Sequence, residues 1–329
     1  MPDFEFAILG AGAMGSIVGA HLARAGHAVA MLARGARASY LEQHGLTIKG
    51  LSSFTTSVHT LREPRDLKRV GTLIVATKTP GTAEALAPLT HTRLDLAMSI
   101  QNGPLKNELL SAAFGRARVL GALADTSGEL LADGTVLFTR NVGIYVGELD
   151  GGDSARATQL AQTLAAAGVH AAASAEIQTL EWSKFCAWVG LMALAVTTRA
   201  PTWKYLSDPD SALLLARLVR EMGKLAGALG IGLSDRAILP SASLCSAPDE
   251  QAAQQLLLSI GADYRRKAPG HRMSALQDVE AGRPLEVHET LGYASERART
   301  LGLALPQLDT FRALVSAIDR TRREPDTGG

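Results

Sequence analysis

A glycine triplet between an apolar run and an amphipathic one constrains this chain more than any other feature. Residues 4–10 read FEFAILG, a short apolar stretch typical of a strand buried on both faces. Gly10-Ala11-Gly12-Ala13-Met14-Gly15 follows, and MGSIVGAHLARAG then carries helical spacing over residues 14–26. In G-x-G-x-x-G the first glycine permits a tight turn. The second lets backbone approach a pyrophosphate, and the third lets helix and strand pack closely. N–H groups at the start of the helix then face the phosphates. Gly10, Gly12, Ala13, Met14 and Gly15 therefore form a candidate dinucleotide loop, with a plain strand-to-helix turn as the alternative.

The rest of the first half repeats the alternation. Apolar runs at 27–33, 72–77 and 96–100 predict buried parallel strands, and GTAEALAPL predicts a helix between two of them. GTVLFTR and VGIYVGEL predict a closing strand pair, DSARATQLAQTLAAAG a helix, and VHAAAS a last strand. From about residue 174 strand signals nearly vanish, and long segments with helical spacing take over, EVHETLGYASERARTLG among them. The fold class expected is α/β: a Rossmann doubly wound sheet over 1–173, then an all-helical substrate domain over 174–329 ending in a frayed tail, TRREPDTGG.

The cofactor's identity is read from the end of the second strand. An NAD site places a carboxylate about 20 residues after the glycines for the ribose 2′-OH, whereas an NADP site removes it and supplies arginine for the 2′-phosphate. No carboxylate occurs between Gly15 and Glu42, while Arg34 and Arg37 do. Arg34 is the expected phosphate ligand, with Arg37 adding charge. Lys78 and Asn102 each follow a predicted strand, where such sheets form their ligand crevice, and both are candidates for cofactor contact; Asn102 also suits substrate.

A reductase also needs a donor for the alkoxide left by hydride addition. Lys184 is the candidate, a lone cation in the largely apolar helix around Trp182-Ser183-Lys184-Phe185-Cys186; the alternative is a lysine that snorkels outward. Ser274 and Glu286 bracket a helix, a stop near Gly282, and a new helix expected to carry Glu286 in its first turn. Ser274 suits an anionic oxygen, and Glu286 either a substrate hydroxyl or the orientation of Lys184.

Taken together, GAGAMG, LARG (32–35), TK (77–78), QNG (101–103), WSK (182–184) and SALQDVEAGRPLEV (274–287) resemble the ketopantoate reductase family, within the 6-phosphogluconate-dehydrogenase-like superfamily. The resemblance spans most of the chain, and its last motif is the most specific. It implies reduction of a 2-keto acid by NADPH in a cleft between a Rossmann domain and a helical one, as in ketopantoate to pantoate for pantothenate biosynthesis. By the same resemblance Lys184 and Glu286 are catalytic, Glu286 through a substrate hydroxyl. Ser274 and Asn102 contact substrate, and Arg34, Lys78 and Asn102 contact NADP. The family typically follows its lysine with asparagines four and eight residues on, and this chain has Trp188 and Met192 there. Those two are expected substrate contacts that suit a bulkier or aromatic 2-keto acid, as in a D-2-hydroxyacid dehydrogenase. A non-catalytic NADP-binding regulator is the third reading.

Composition narrows the partners. A net charge of +1 gives no nucleic-acid footprint, and no apolar run is long enough for a membrane span. Two cysteines, no basic leader and no metal-type histidine spacing point to a cytoplasmic protein without metal. Apolar helical faces such as LLLARLV are compatible with a homodimer.

Overall fold

The computed structural model describes residues 3–323. The chain divides into two compact units, one ending at Gln178 and the other beginning at Thr179. In the first unit the elements run β1 (Phe4–Leu9), α1 (Ala13–Arg24), β2 (Val29–Leu32), α2 (Gly35–His44), β3 (Leu46–Gly50), β4 (Phe54–Thr56), β5 (His59–Leu61) and β6 (Arg69–Val75). They continue with α3 (Thr82–Leu86), β7 (Arg93–Ser99), α4 (Leu105–Phe114), β8 (Val119–Leu130), β9 (Val136–Glu148), α5 (Ala155–Ala166) and β10 (Ala171–Ala173). All the strands share one sheet, within which β5-β2-β1-β6-β7-β8 are parallel neighbours. That is the order of a doubly wound Rossmann sheet, and it reverses between β1 and β6.

The strands are apolar throughout because both faces are covered. In β1, Phe6 and Ile8 join the core under α1 and α5, while Ala7 and Leu9 join the core under α3 and α4. On α1, Ile17, Val18 and Leu22 are fully buried. Each contributes roughly 1.5–3 kcal/mol relative to exposure, so the helix behind the glycine loop is firmly seated.

The far edge of this sheet differs from the expected strand pair. GTVLFTR and VGIYVGEL are not two strands but parts of β9, which pairs antiparallel with the unanticipated β8. The turn lies earlier, at Leu131–Thr135, where Gly134 takes φ +83°. Register shifts near Asp125 and Ser127 absorb what looked like a break at Asn141. The short strands β3, β4 and β5 were also missed, being too brief and polar to show a period.

The helix α6 (Ile177–Thr198) leads into the second unit, which contains α7 (Thr202–Ser207), α8 (Pro209–Ala228), α9 (Ser241–Ser246), α10 (Glu250–Lys267) and α11 (Ser274–Glu280). A π-helical turn (His288–Gly292) then runs into α12 (Tyr293–Thr300), and α13 (Pro306–Thr321) ends the described fold. Buried Glu221 on α8 accepts the N–H groups of Gln307 and Leu308 at 3.1 and 2.9 Å, placing a carboxylate on the positive end of α13. The start of the expected frayed tail is in fact ordered: Thr321 ends α13, and Arg322 ion-pairs with Asp319 at 2.8 Å. Residues 324–329 of that tail lie outside the described residues. Among the described residues no helix is long and apolar enough to cross a membrane.

Candidate active site

The glycines sit where the strand order reverses, and each meets different surroundings. Gly10 has φ +107°, and a Cβ there would lie 2.7 Å from the Thr77 backbone nitrogen at the end of β6. A Cβ on Gly15 would run into the Gly10 carbonyl oxygen. Gly12 is the opposite case: exposed, with ordinary extended dihedrals, and with nothing within 4 Å of an added Cβ. Two glycines are thus required by packing, and one keeps a space clear beside the first turn of α1. The N–H groups of that turn, including those of Ala13 and Met14, have no partner within the helix. This cradle, which any side chain on Gly12 would fill, fits a pyrophosphate.

The two arginines divide. Leu9 and Leu32 are register partners on parallel β1 and β2, so Gly10 leaves the sheet level with Ala33, the residue before Arg34. Arg34 is exposed at the N-cap of α2. Arg37, expected to add charge toward a phosphate, instead turns inward. Its guanidinium donates to the Ala11 carbonyl at 2.9 Å, the Ser16 hydroxyl at 2.9 Å and the Gly134 carbonyl at 2.7 Å. Burial lowers its affinity for the proton, and the ring of Tyr40 lies 5.1 Å away. Arg37 therefore braces the glycine loop against the β8–β9 turn, a role no local pattern announces.

Lys78 and Asn102 follow β6 and β7, whose ladder ends at Val75 and Ser99. Lys78 is exposed and Asn102 half-buried. Between them lies Gln101, 7% exposed, which sequence reading passed over.

In the second unit, every residue of α6 from Leu180 to Val196 is buried except Lys184. Trp188 and Met192 are 5% and 1% exposed, four and eight residues further along the same helical face. The flanking residues hold the backbone. The Ser183 hydroxyl donates to the Thr179 carbonyl at 2.6 Å and accepts the Ser234 N–H at 2.8 Å, and the Ser183 carbonyl accepts the Ser241 hydroxyl at 2.7 Å. Ser241 belongs to the short helix α9. Burial pushes the Cys186 thiol up, so no thiolate is available there at neutral pH.

Ser274 is exposed at the first position of α11, and the N-cap position falls to Met273. Glu286 is half-buried and precedes its helix, instead of lying in the first turn as expected. A long-range bond holds the segment just before it: Asp319 on α13 accepts the Leu285 N–H at 3.0 Å. The turn before it is pinned by Asp278, whose buried carboxylate accepts from Arg283 at 2.8 Å. The Asp and Arg of the motif are therefore its internal brace. Thr290 donates to the Glu286 carbonyl, and the π-helical turn that follows delivers Tyr293 against Phe185, next to Lys184, with ring centroids 6.3 Å apart.

Comparison with known proteins adds a separate line of evidence. A profile described as ketopantoate reductase PanE/ApbA matches residues 6–151, and its C-terminal counterpart matches residues 176–319. A 2-dehydropantoate 2-reductase of Archaeoglobus fulgidus is 28% identical over 313 residues, which cover 95% of this chain and 97% of that one. A PanE/ApbA family ketopantoate reductase structure from Ralstonia eutropha aligns with a TM-score of 0.81 at 22% identity, covering 97% of this chain and 99% of its own. A D-mandelate dehydrogenase solved with NADH and anilino(oxo)acetate aligns with a TM-score of 0.82 at 20% identity, with the same coverages. At those identities the two structures speak for the fold.

Proposed function

The chain belongs to the ketopantoate reductase family of oxidoreductases, and on that premise we propose that it reduces the ketone of a small 2-keto acid to the 2-hydroxy acid with NADPH. The observation that carries this reading is Lys184, the one cation reaching out of an otherwise buried stretch of α6. Bound NADPH supplies the hydride that adds to the carbonyl carbon. The Lys184 ammonium donates a hydrogen bond to the carbonyl oxygen and then its proton, so the oxygen becomes the hydroxyl of the product. Glu286 accepts a hydrogen bond from a substrate hydroxyl, and Ser274 donates to the substrate carboxylate. Asn102 holds the nicotinamide ribose and substrate. Gly10, Gly12, Ala13, Met14 and Gly15 hold the pyrophosphate, and Lys78 meets a phosphate or ribose of the cofactor. Exposed Arg34, with no competing carboxylate, takes the 2′-phosphate and favours NADPH over NADH.

Ketopantoate is the substrate proposed first. A second reading, a bulkier or aromatic 2-keto acid, is favoured by Trp188 and Met192 on the helical face of Lys184. An indole and a thioether offer apolar surface in place of amide hydrogen bonds, and the structurally similar mandelate dehydrogenase was solved with an aromatic ligand. A panel of 2-keto acids, followed by NADPH oxidation, separates the readings: ketopantoate should have the highest kcat/KM under the first, an aromatic acid under the second. Lys184→Ala should lower kcat by about 10²–10⁴ with NADPH affinity nearly unchanged. Full activity in that variant would remove the proton-donor role.

A further inference from the structure

The ladder between β6 and β7 closes with the Ile100 N–H on the Val75 carbonyl at 3.0 Å, and beyond it the two chains part toward Lys78 and Asn102. One buried side chain spans that gap. The Gln101 amide nitrogen shares its two protons among the Thr82 hydroxyl at 2.8 Å, the Thr77 hydroxyl at 3.0 Å and the Lys78 carbonyl at 3.1 Å. The Ser99 hydroxyl donates to its amide oxygen at 2.9 Å, which fixes the orientation of the amide. Its backbone carbonyl accepts from buried Lys106 at 2.9 Å, and Lys106 also reaches the Ala122 carbonyl on β8. Side chains thus join the ends of β6 and β7, where their mutual pairing has stopped, to Ala122 within β8. The peptide that presents Lys78 and the residue preceding Asn102 are two ends of one satisfied polar network.

We propose that Gln101 is a positioning residue: its amide couples the Lys78 turn to the Asn102 turn and sets where the nicotinamide half of the dinucleotide is held. The proposal rests on the dinucleotide reading above. It assigns Gln101 no contact with the ligand. The adenine half is assigned to the glycine loop and Arg34, and Arg37 braces that loop.

Calorimetric titration with NADPH and with 2′,5′-ADP, the adenine half alone, tests the coupling. Gln101→Met, of similar volume, should weaken NADPH roughly tenfold or more, because displacing contact groups by an ångström is costly. Binding of 2′,5′-ADP should stay within about twofold, a change of less than 0.5 kcal/mol. Thr82→Val, which removes one acceptor of the amide, should give the same split at smaller amplitude, and it carries the comparison if Gln101→Met does not fold. Unchanged NADPH binding, or equal loss for both ligands, would overturn the proposal. Wild-type protein that binds neither ligand would instead bring down the dinucleotide reading, and the coupling with it.

Discussion

Replacing Gly12 with valine separates a glycine kept for a ligand from one kept for the fold. The backbone at Gly12 has φ −72° and ψ −168°, a conformation open to any residue, and a Cβ meets nothing within 4 Å. The change costs the helix no more than its N-cap preference for glycine over valine, about 1 kcal/mol or less. That moves the unfolding midpoint by about 2–4 °C for a unit the size of the first, which ends at Gln178. The added methyls, however, occupy the space beside the first turn of α1. Losing two N–H bonds to a charged phosphate, each worth about 1.5–3 kcal/mol, would weaken NADPH by roughly 10²–10⁴. Gly10→Ala is the contrasting control. There a φ of +107° and a nitrogen 2.7 Å from the new Cβ add backbone strain to overpacking. The expected cost is about 2–6 kcal/mol of stability. Calorimetric unfolding and NADPH titration of both variants give the readout. If Gly12→Val binds NADPH as wild type does, the open face holds no phosphate and the reasoning fails.

Other outcomes follow from the same structure. Arg34→Asp should shift cofactor preference from NADPH toward NADH; an unchanged ratio of the two kcat/KM values would place the 2′-phosphate elsewhere. Arg37→Met should leave that ratio alone but lower the unfolding midpoint, since the Gly134 carbonyl and the Ser16 hydroxyl oxygen lose this donor while the Ala11 carbonyl keeps the Ser16 hydroxyl, a cost of about 1–3 kcal/mol. His21 is buried, with Nδ1 on the Ile17 carbonyl at 2.8 Å, and burial lowers its pKa below the ordinary 6.5. The unfolded chain therefore takes up a proton that the folded chain refuses as pH falls through 6.5. Thermal stability should drop between about pH 7.5 and about pH 5.5, and less steeply in His21→Gln; equal slopes would exclude His21 as the cause.

Several features were legible in the residues alone because their causes are local. A strand, three glycines and a helix define their own turn. Apolar runs without alternation announce strands covered on both faces, and the change to helical spacing near residue 174 announces a second kind of unit. The positions of Arg34, Lys78 and Asn102 just past strand ends follow from the same pattern. Tertiary structure decided the rest, because the deciding contacts join residues far apart in the chain. Arg34 and Arg37 look alike in sequence, and only the arrival of Gly134 beside α2 turns one inward as a brace. Helical spacing begins at Glu286, yet the helix starts only at His288, behind a Leu285 N–H that Asp319 of α13 holds. Gln101 shows no pattern until folding brings Thr77, Lys78 and Thr82 around its amide. A period or a turn is encoded by neighbours in sequence, whereas the satisfaction of a buried polar group depends on whichever segments packing brings to it.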